Sequence, residues 1–270
     1  MARVITLCGS ISRLASPLGR AMHEAGYRAL DLPFAYVPFE VQSARAALDA
    51  MRTLGIRGLG VSHPFKQDVM GALDDLDPVA RRIGAVNTVV NDGGRLVGHN
   101  TDWIGAMRAL EEVRNLAGAR VLLLGAGGAA RAIGFGLRER GAQATIANRE
   151  FERAMRLANE TSARAARFEE ADRAAGYEIV INATTLGQAD VSPASPVHSA
   201  ALRAGQIVMD IVYKPVATEL LAAARARGAT IVHGGRMLLH QAAAQFELYT
   251  GRQAPMDAMD RALTRLVNPG

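Results

Sequence analysis

The sequence predicts an α/β protein of two domains, the second of which is built on a doubly wound parallel sheet. Three observations lead to this prediction. Apolar runs typical of strands alternate with helical segments along most of the 270 residues. A continuous apolar run at residues 121–124 has the pattern of a strand buried on both faces of a parallel sheet. Glycines break this run, and a helix rich in small residues follows them.

The first domain is expected to be a small α/β unit that ends near residue 100. Strands are predicted near residues 3–8, 34–39 and 57–62, and helices near residues 17–25, 44–54 and 64–73. Ser43 is the expected N-cap of the second helix, and Pro17 and Pro64 stand in the first turns of theirs. Two more strands, near residues 86–90 and 95–97, are separated by Asp92-Gly93-Gly94 and form a predicted hairpin.

The second domain is expected to begin with a helix at residues 102–113. Strands are predicted at residues 121–124 and near residues 143–147, 177–181, 206–211 and 230–233, with helices between most of them. Two apolar-rich helices follow, near residues 237–249 and 256–266. The predicted organisation is a first domain over residues 1–101, a second over residues 102–235 and a C-terminal helical segment over residues 236–270.

The glycine-rich turn after residue 124 predicts a dinucleotide site. Gly125, Gly127 and Ala130 fit the pattern G-x-G-x-x-G/A, in which the first glycine permits the tight turn and the second lets a pyrophosphate approach the backbone. The remaining residues of the predicted phosphate-binding turn are Ala126, Gly128 and Ala129. A turn of this composition can also be purely structural, but the strand before it and the helix after it favour cofactor binding.

A pair of arginines favours NADP over NAD as the cofactor. Asn148 and Arg149 fall about 20 residues after the glycines, where NAD-binding domains usually offer an acid to the ribose. Arg149 and Arg153 are instead suited to a 2′-phosphate. Glu150 argues against this interpretation because it would repel that phosphate, and a solvated helix start is the alternative.

The composition predicts a globular protein that stays in the cytoplasm. Hydrophobic residues make up 49% and charged residues 21% of the chain, no apolar run is long enough to span a bilayer, and the apolar start is too short for a signal peptide. The single cysteine, Cys8, suits a reducing compartment. The net charge of +5 is spread along the chain, so we expect no nucleic-acid or membrane partner.

Two charged residues are candidates for proton chemistry. Only Lys66 and Lys214 are lysines, and Lys66 follows a predicted strand of the first domain, at the edge where open α/β sheets bind ligands. Asp102 follows another strand and opens a helix, so the pair could share a substrate hydroxyl. A surface amine and a helix N-terminal charge are equally good interpretations. The six histidines have no metal-ligand spacing, so no metal is predicted.

The chain resembles the shikimate dehydrogenase family over essentially its full length. The segments that carry the resemblance, in order, are Val61-Ser62-His63-Pro64-Phe65-Lys66, Gly84-Ala85-Val86-Asn87-Thr88, Gly98-His99-Asn100-Thr101-Asp102, Asn148-Arg149, Asn182-Ala183-Thr184, residues 210–215 and Met237-Leu238-x-x-Gln241. They look like the family's N-V-T-x-P-x-K, G-A-V-N-T and G-x-N-T-D motifs and the segments that follow them.

The resemblance implies an enzyme with an N-terminal α/β substrate domain and a Rossmann NADP-binding domain. The reaction would be reversible hydride transfer between NADP and a ring hydroxyl of shikimate. The partner would thus be a small cyclic hydroxy acid. The catalytic pair would be Lys66 and Asp102. The implied substrate contacts are Ser16, Ser62, Asn87, Tyr213 and Gln241, and the implied cofactor contacts add Thr184 and Gly235 to the residues above. The resemblance also implies that the C-terminal helices pack back on the first domain.

Several positions depart from the family pattern and make the substrate the open question. The family holds the substrate carboxylate with Ser-x-Ser before a proline, whereas this chain reads Leu14-Ala15-Ser16-Pro17. Arg13 is a candidate replacement for the lost hydroxyl. Ser16 is an N-cap candidate as much as a ligand. Gly60, Ser62 and Gln188 also differ from the common residues, which makes the chain similar to the divergent shikimate dehydrogenase-like branch.

Three functions are therefore compatible with the sequence. The first is an NADP-dependent dehydrogenase of shikimate or a close analogue. The second is a quinate or aminoshikimate dehydrogenase of the same family, with NAD as the less favoured cofactor. The third is a weakly catalytic protein that senses NADP. A monomer or a homodimer is expected for each.

Overall fold

The computed structural model describes residues 4–267, and these form two compact units. The first unit contains the residues up to Thr101 together with those from Gln241 onward, and the second contains Asp102–His240. The helix α8 (Gly234–Thr250) crosses the boundary between the two sets of residues. Within residues 4–267, every helix is too short or too polar to span a bilayer.

The first unit is a six-stranded mixed sheet with helices on both faces. Its strands are β1 (Thr6–Ser12), β2 (Phe34–Glu40), β3 (Gly58–Val61), β4 (Asp75–Leu76), β5 (Thr88–Asp92) and β6 (Arg95–His99), in the order β2-β1-β3-β5-β6-β4. β1, β2 and β3 are parallel, and β5 and β6 form the antiparallel hairpin predicted around Asp92-Gly93-Gly94. Its helices, apart from α8, are α1 (Pro17–Ala29), α2 (Ala44–Thr53), α3 (Pro78–Ile83) and α9 (Met256–Val267).

Local sequence explains where these helices begin. Ser16 caps α1 by accepting a hydrogen bond from the backbone of Leu18, Ser43 caps α2, and Asp77 caps α3. Beneath α2, an apolar cluster fills one face of the sheet, including Ile11, Leu48 and Leu59. Arg3, the first residue of the first predicted strand, lies outside the described residues.

The other face of the sheet is covered by α1, α8 and α9, and glycines allow close approach both between α8 and the sheet and between α1 and α8. A Cβ on Gly58 would lie 2.2 Å from the ring of Tyr249, and one on Gly26 would lie 2.7 Å from the ring of Phe246. Met259 on α9 is fully buried and lies next to Gly26. The C-terminal helices therefore complete the core of the first unit, as the resemblance implied.

The helix predicted at residues 64–73 is wrong. The structure has turns at residues 63–67 and a short 3₁₀ helix at Asp68–Ala72. The carbonyl of Lys66 accepts a hydrogen bond from the backbone N–H of Val86 at 2.8 Å. This long-range bond uses a carbonyl that a regular α-helix would pair with the residue four positions on. β4, α3 and β9 (Arg164–Arg167) were not predicted, because each is too short to show a clear hydrophobic period.

The second unit contains the predicted doubly wound parallel sheet. Its strands are β7 (Arg120–Leu124), β8 (Gln143–Asn148), β9, β10 (Ile179–Asn182), β11 (Ile207–Asp210) and β12 (Thr230–His233), in the order β12-β11-β10-β7-β8-β9. All neighbouring strands are parallel. Its helices, apart from α8, are α4 (Asp102–Glu111), α5 (Gly128–Glu139), α6 (Phe151–Thr161) and α7 (Glu219–Ala226). The strand order reverses between β7 and β10, which is the point where such sheets bind ligands.

Candidate functional site

The turn after β7 is shaped by contacts with the neighbouring strand. Gly125 has a φ of +113°, and a Cβ on it would lie 2.7 Å from the carbonyl oxygen of Ala183, which follows β10. A side chain at residue 125 would therefore be strained both by its own backbone and by the protein around it. The fold itself requires this glycine.

The next two glycines are not required by the protein's own packing. A Cβ on Gly127 or Gly128 would meet no described atom within 4 Å, and Gly127 has an ordinary extended backbone as the N-cap of α5. Both residues are exposed at the N-terminus of α5, where backbone N–H groups favour an anion. The small Ala126 and Ala129 belong to the same turn. The space beside these glycines is suited to a pyrophosphate.

The end of β8 carries the residues predicted to select NADP. Arg149 and Arg153 are both exposed. The guanidinium of Arg153 lies 2.9 Å from the carboxylate of Glu150, and the side chain of Asn148 donates to the backbone carbonyl of Glu150 at 3.0 Å. The repulsion expected from Glu150 is thus partly neutralised by Arg153, and Asn148 fixes the turn that presents them.

A buried network connects the ends of β10 and β11. The carboxylate of Asp210 accepts hydrogen bonds from Asn182 (2.9 Å), Thr218 (2.7 Å) and the backbone of Val212 (3.0 Å). The side-chain oxygen of Asn182 in turn accepts from the backbone and hydroxyl of Thr184, at 3.0 and 2.7 Å. Burial raises the pKa of Asp210, while the three donors act to lower it.

The hydrogen bonds of this network fix the orientation of the Thr184 side chain. The amide nitrogen of Asn182 donates to Asp210 and to Leu186, so its oxygen must accept from Thr184. The Thr184 hydroxyl also accepts from the backbone of Leu186 at 3.1 Å. Asp210 therefore positions Thr184, a predicted cofactor residue, without contacting it.

The remaining predicted residues of the second unit lie at its strand ends and helix starts. Tyr213 follows β11 and is 37% exposed. Gly235 is buried near the start of α8, where a Cβ would lie 2.9 Å from the ring of His233. Asp102 is half-buried and is the first residue of α4.

In the first unit, Asn87 is the centre of a buried cluster of polar side chains. Its side-chain oxygen accepts from the backbone N–H of Thr101 at 2.6 Å and from the hydroxyl of Thr88 at 2.8 Å, and its amide donates to the Thr101 hydroxyl at 3.0 Å. Gln245 of α8 donates to Thr88 at 3.0 Å and to the Asn87 carbonyl at 3.2 Å. Each bond stabilises by about 1 kcal/mol, so the cluster holds the strand ends rigidly.

Two more predicted residues of the first unit lie in the turns that follow β3. The backbone N–H of Ser62 donates to Ile11 at 3.0 Å, and its side chain is exposed. Lys66 is half-buried, and its backbone is held by Val86, the residue before Asn87. Gln241, half-buried on α8, is one turn before Gln245. The first unit therefore fixes Lys66 and Asn87 through the same short segment of backbone.

In the loop that the resemblance assigns to a substrate carboxylate, the serine hydroxyls make hydrogen bonds within the protein. Ser16 accepts from Leu18 at 3.4 Å, and Ser12 donates to the Leu14 carbonyl at 2.7 Å. The side chain of Leu14 is 82% exposed. Arg13 contacts the Gln42 side chain, and its guanidinium lies 5.5 Å from the ring centroid of Phe65, the residue before Lys66.

The supporting residues of both units are not predicted by the sequence motifs. Thr88 and Thr101 lie inside motifs of the resemblance, and Asp210 begins another of its segments, but the motifs assign none of the three a role. The signal that could have found them is a polar residue placed directly after a buried strand. In the range 4–267, no group of three or more His, Cys, Asp or Glu residues could hold a metal ion.

Three family models match consecutive parts of the chain. The model of the shikimate dehydrogenase substrate binding domain matches residues 9–89, and that of shikimate / quinate 5-dehydrogenase matches residues 107–222. The model of the shikimate 5′-dehydrogenase C-terminal domain matches residues 234–264.

Individual relatives match over nearly the whole chain. The shikimate dehydrogenase (NADP(+)) of Haloarcula marismortui is 42% identical over 258 residues, which cover 93% of this chain and 96% of that protein. A solved shikimate dehydrogenase in complex with NADP+ has a TM-score of 0.91 and 32% identity, and covers 98% of this chain and 96% of that one. A 5-ketofructose reductase of Gluconobacter sp. strain CHM43 has a TM-score of 0.90 and 33% identity, with coverage of 98% and 100%. This chain is therefore a member of the shikimate dehydrogenase family.

Proposed function

We propose that the protein is an NADP-dependent dehydrogenase that reversibly transfers hydride between NADP and a ring hydroxyl of shikimate or a close analogue. The observation that carries the proposal is the cluster around Asn87. It fixes Thr101, the residue before Asp102, while the backbone beside Asn87 holds Lys66. Such a rigid frame is what a reaction needs when a proton and a hydride must leave one alcohol group in a defined geometry.

The proton chemistry is assigned to Lys66 and Asp102. Oxidation of the alcohol removes a proton from its oxygen and a hydride from its carbon. The amine of Lys66 accepts or relays the proton, and the carboxylate of Asp102 orients the hydroxyl. The nicotinamide, when bound, supplies the hydride acceptor. Asn87 and Gln241 are proposed to bind the other polar groups of the ring, together with Ser16, Ser62 and Tyr213.

The cofactor is assigned from the second unit. The open space beside Gly127 and Gly128 fits a pyrophosphate, and the exposed Arg149 and Arg153 fit a 2′-phosphate. Thr184 and Gly235 are proposed to contact the nicotinamide half. The NADP dependence carried by the name of the Haloarcula relative supports the same cofactor.

The decisive experiment measures the initial rate of NADPH formation with shikimate, quinate and an aminoshikimate. Each substrate is tested with the wild type, Lys66→Met and the control Gln67→Ala, which changes the exposed neighbour of Lys66. Turnover of one acid that is lost in Lys66→Met and kept in Gln67→Ala supports the proposal and names the substrate. Tight NADP binding without turnover of any acid would favour the sensing function instead.

One observation favours a second candidate, a reductase of a neutral polyhydroxy ketone. Leu14 presents an apolar, 82% exposed side chain at the position of a family hydroxyl, and the 5-ketofructose reductase shows that a member of this fold acts on a substrate named as a ketose. The test is NADPH oxidation with 5-ketofructose beside 3-dehydroshikimate. A higher kcat/KM for the ketose would establish the second candidate and reject the first.

Two predictions concern the setting of the reaction, a cytoplasmic location and a monomeric or homodimeric state. The free thiol of Cys8 is buried, which suits a reducing compartment. Sedimentation equilibrium of the purified protein would measure the mass and contradict the second prediction if it exceeded that of a dimer.

A further inference from the structure

The segment proposed to bind the 2′-phosphate carries no net charge of its own. Residues 148–153 contain two arginines, Arg149 and Arg153, and two glutamates, Glu150 and Glu152, so the formal charge is zero. Arg153 is also paired with Glu150 at 2.9 Å. A phosphate monoester carries about −1.5 to −2 charges at neutral pH. The segment alone therefore offers this group little electrostatic attraction.

The neighbouring strand brings a further arginine to the same place. Arg167 is the last residue of β9, and it lies beside Asn148, the last residue of β8, in the parallel register of the two strands. Neighbouring strands are about 4.8 Å apart. Both residues thus stand at the carboxyl edge of the sheet, where the turn after β8 presents Arg149.

An aromatic contact directs the Arg167 side chain toward this turn. Its guanidinium carbon lies 5.1 Å from the ring centroid of Phe151, within the range of a cation–π interaction. Phe151 is the first residue of α6 and follows Glu150 directly. A cation–π contact with a ring leaves guanidinium N–H groups available for a phosphate. Arg167 therefore adds a positive charge next to the segment of residues 148–153, whose own net charge is zero.

We propose that Arg167 is a further specificity-determining residue, which binds the 2′-phosphate of NADP together with Arg149 and offsets Glu150 and Glu152. The proposal deepens the proposed function and rests on its choice of NADP. Phe151 contacts the guanidinium and holds it near the turn, so a lysine at residue 167 keeps the charge and loses the planar set of N–H donors.

The test is direct binding by calorimetry, independent of turnover. The ligands are NADP+, NAD+ and the fragments 2′,5′-ADP and 5′-AMP, and the proteins are the wild type, Arg167→Ala, Arg167→Lys and Arg156→Ala. Arg156 is exposed on α6, one and a half turns beyond its start, so its variant removes the same charge from the helix that begins with Phe151. We expect Arg167→Ala to weaken NADP+ and 2′,5′-ADP about 10-fold and to leave NAD+ and 5′-AMP unchanged.

The other variants and ligands distinguish a role of Arg167 from the use of NADP itself. Arg167→Lys is expected to recover part of the loss, and Arg156→Ala to bind as the wild type does. Equal weakening of NADP+ and NAD+ by Arg167→Ala, or no weakening of either, would overturn the role of Arg167 while leaving NADP use intact. A wild type that binds 2′,5′-ADP no better than 5′-AMP would overturn both the NADP assignment and the inference.

Discussion

At the scale of single residues, we expect the loop before α1 to influence which substrates the first unit accepts. Arg13 reaches the ring of Phe65, beside Lys66, and is the one cation of this loop. Its contacts with Gln42 and Phe65 are with neutral groups, whereas the Glu40 carboxylate accepts a hydrogen bond from the backbone of Ala15 in this loop at 3.0 Å. A guanidinium can bind a carboxylate more strongly than a hydroxyl can, so Arg13 is our candidate replacement for the serine hydroxyl expected at Leu14.

We therefore expect Arg13→Ala to raise KM for a carboxylate substrate about 10-fold with little change in kcat, because the contact is made equally in the ground and transition states. KM for a neutral ketone should not change. The measurement is steady-state kinetics with both substrate types, with Arg20→Ala as the control, since Arg20 is paired with Glu24 on α1. An unchanged KM for the carboxylate would remove Arg13 from the substrate site.

The site residues that lie in motifs could be predicted from the sequence, but their hydrogen-bond partners could not. Asn87 and Thr184 were assigned to the site, whereas Thr88, Gln245 and Asp210, which fix them, were not. The reason is physical: Gln245 reaches Thr88 from a position 157 residues along the chain, and Asp210 reaches Asn182 across two adjacent strands. Hydrogen-bond partners of this kind depend on which strands pair, and local patterns do not contain that information.

At the scale of elements, the turn between β7 and α5 contains two glycines with different reasons to be glycine. Gly125 is fixed by its φ of +113° and by the carbonyl of Ala183, whereas Gly127 touches nothing that a Cβ would disturb. We expect Gly125→Ala to lower the free energy of unfolding by about 2–4 kcal/mol. Gly127→Ala should lower it by no more than about 1 kcal/mol, the cost of a poorer N-cap, yet weaken NADP binding more than 10-fold.

The two measurements are urea unfolding and NADP+ titration of the same variants. Their comparison separates a glycine kept for the fold from one kept for a ligand. Gly127→Ala with wild-type NADP affinity would contradict the assignment of this turn to the pyrophosphate.

Helix α1 carries a titratable group in the core of the first unit. His23 is fully buried, its ring stacks on Tyr36 with centroids 4.4 Å apart, and burial lowers its pKa to about 3. Burial raises the pKa of the neighbouring Tyr36, and it raises that of Cys8 to about 12, so both stay neutral in acid. The unfolded chain binds a proton at His23 below about pH 6.5, which the folded chain does not do until about pH 3.

Stability should therefore be lost as the pH falls from about 6.5 toward 3. Between about pH 7.5 and about pH 5, His23 alone should lower the free energy of unfolding by about 2 kcal/mol. His23→Gln, which cannot be protonated, should be less stable at the higher pH and show a pH dependence that is smaller by this amount. Urea unfolding at both pH values measures the difference, and identical pH dependence in the two proteins would contradict the assignment.

Element type and order could be predicted where apolar runs are continuous, as in the parallel strands of the second unit. They were not predictable where a tertiary contact competes with local structure. The segment of residues 63–73 has the composition of a helix, but the bond from Val86 to the Lys66 carbonyl holds it as turns and a short 3₁₀ helix. That departure occurs at the candidate catalytic lysine, where local preference gives way to the geometry of the site.

At the scale of the whole molecule, the first unit is assembled from two distant parts of the chain, while the second is continuous. Residues after 240 supply Phe246, Tyr249, Met259 and Leu263, all buried in the first unit. Burial of such side chains stabilises by about 1.5–3 kcal/mol each, so the four together contribute about 6–12 kcal/mol. This is as large as the total stability of a typical domain, about 5–15 kcal/mol.

Residues 1–101 should therefore fail to fold alone, because the part of the sheet around Gly58, which Tyr249 of α8 covers, would be exposed to water. Residues 102–240 contain a complete parallel sheet with its own core, and the start of α8 is held there by hydrogen bonds from Arg236 (2.9 Å) and His240 (2.9 Å) to Glu112. We expect this fragment to be folded and to bind 2′,5′-ADP. Circular dichroism of both fragments and calorimetry of the second test this, with residues 1–101 refolded in the presence of residues 241–270 as the control. A cooperative unfolding transition in residues 1–101 alone would show that the C-terminal helices contribute far less to the first unit than their buried side chains indicate.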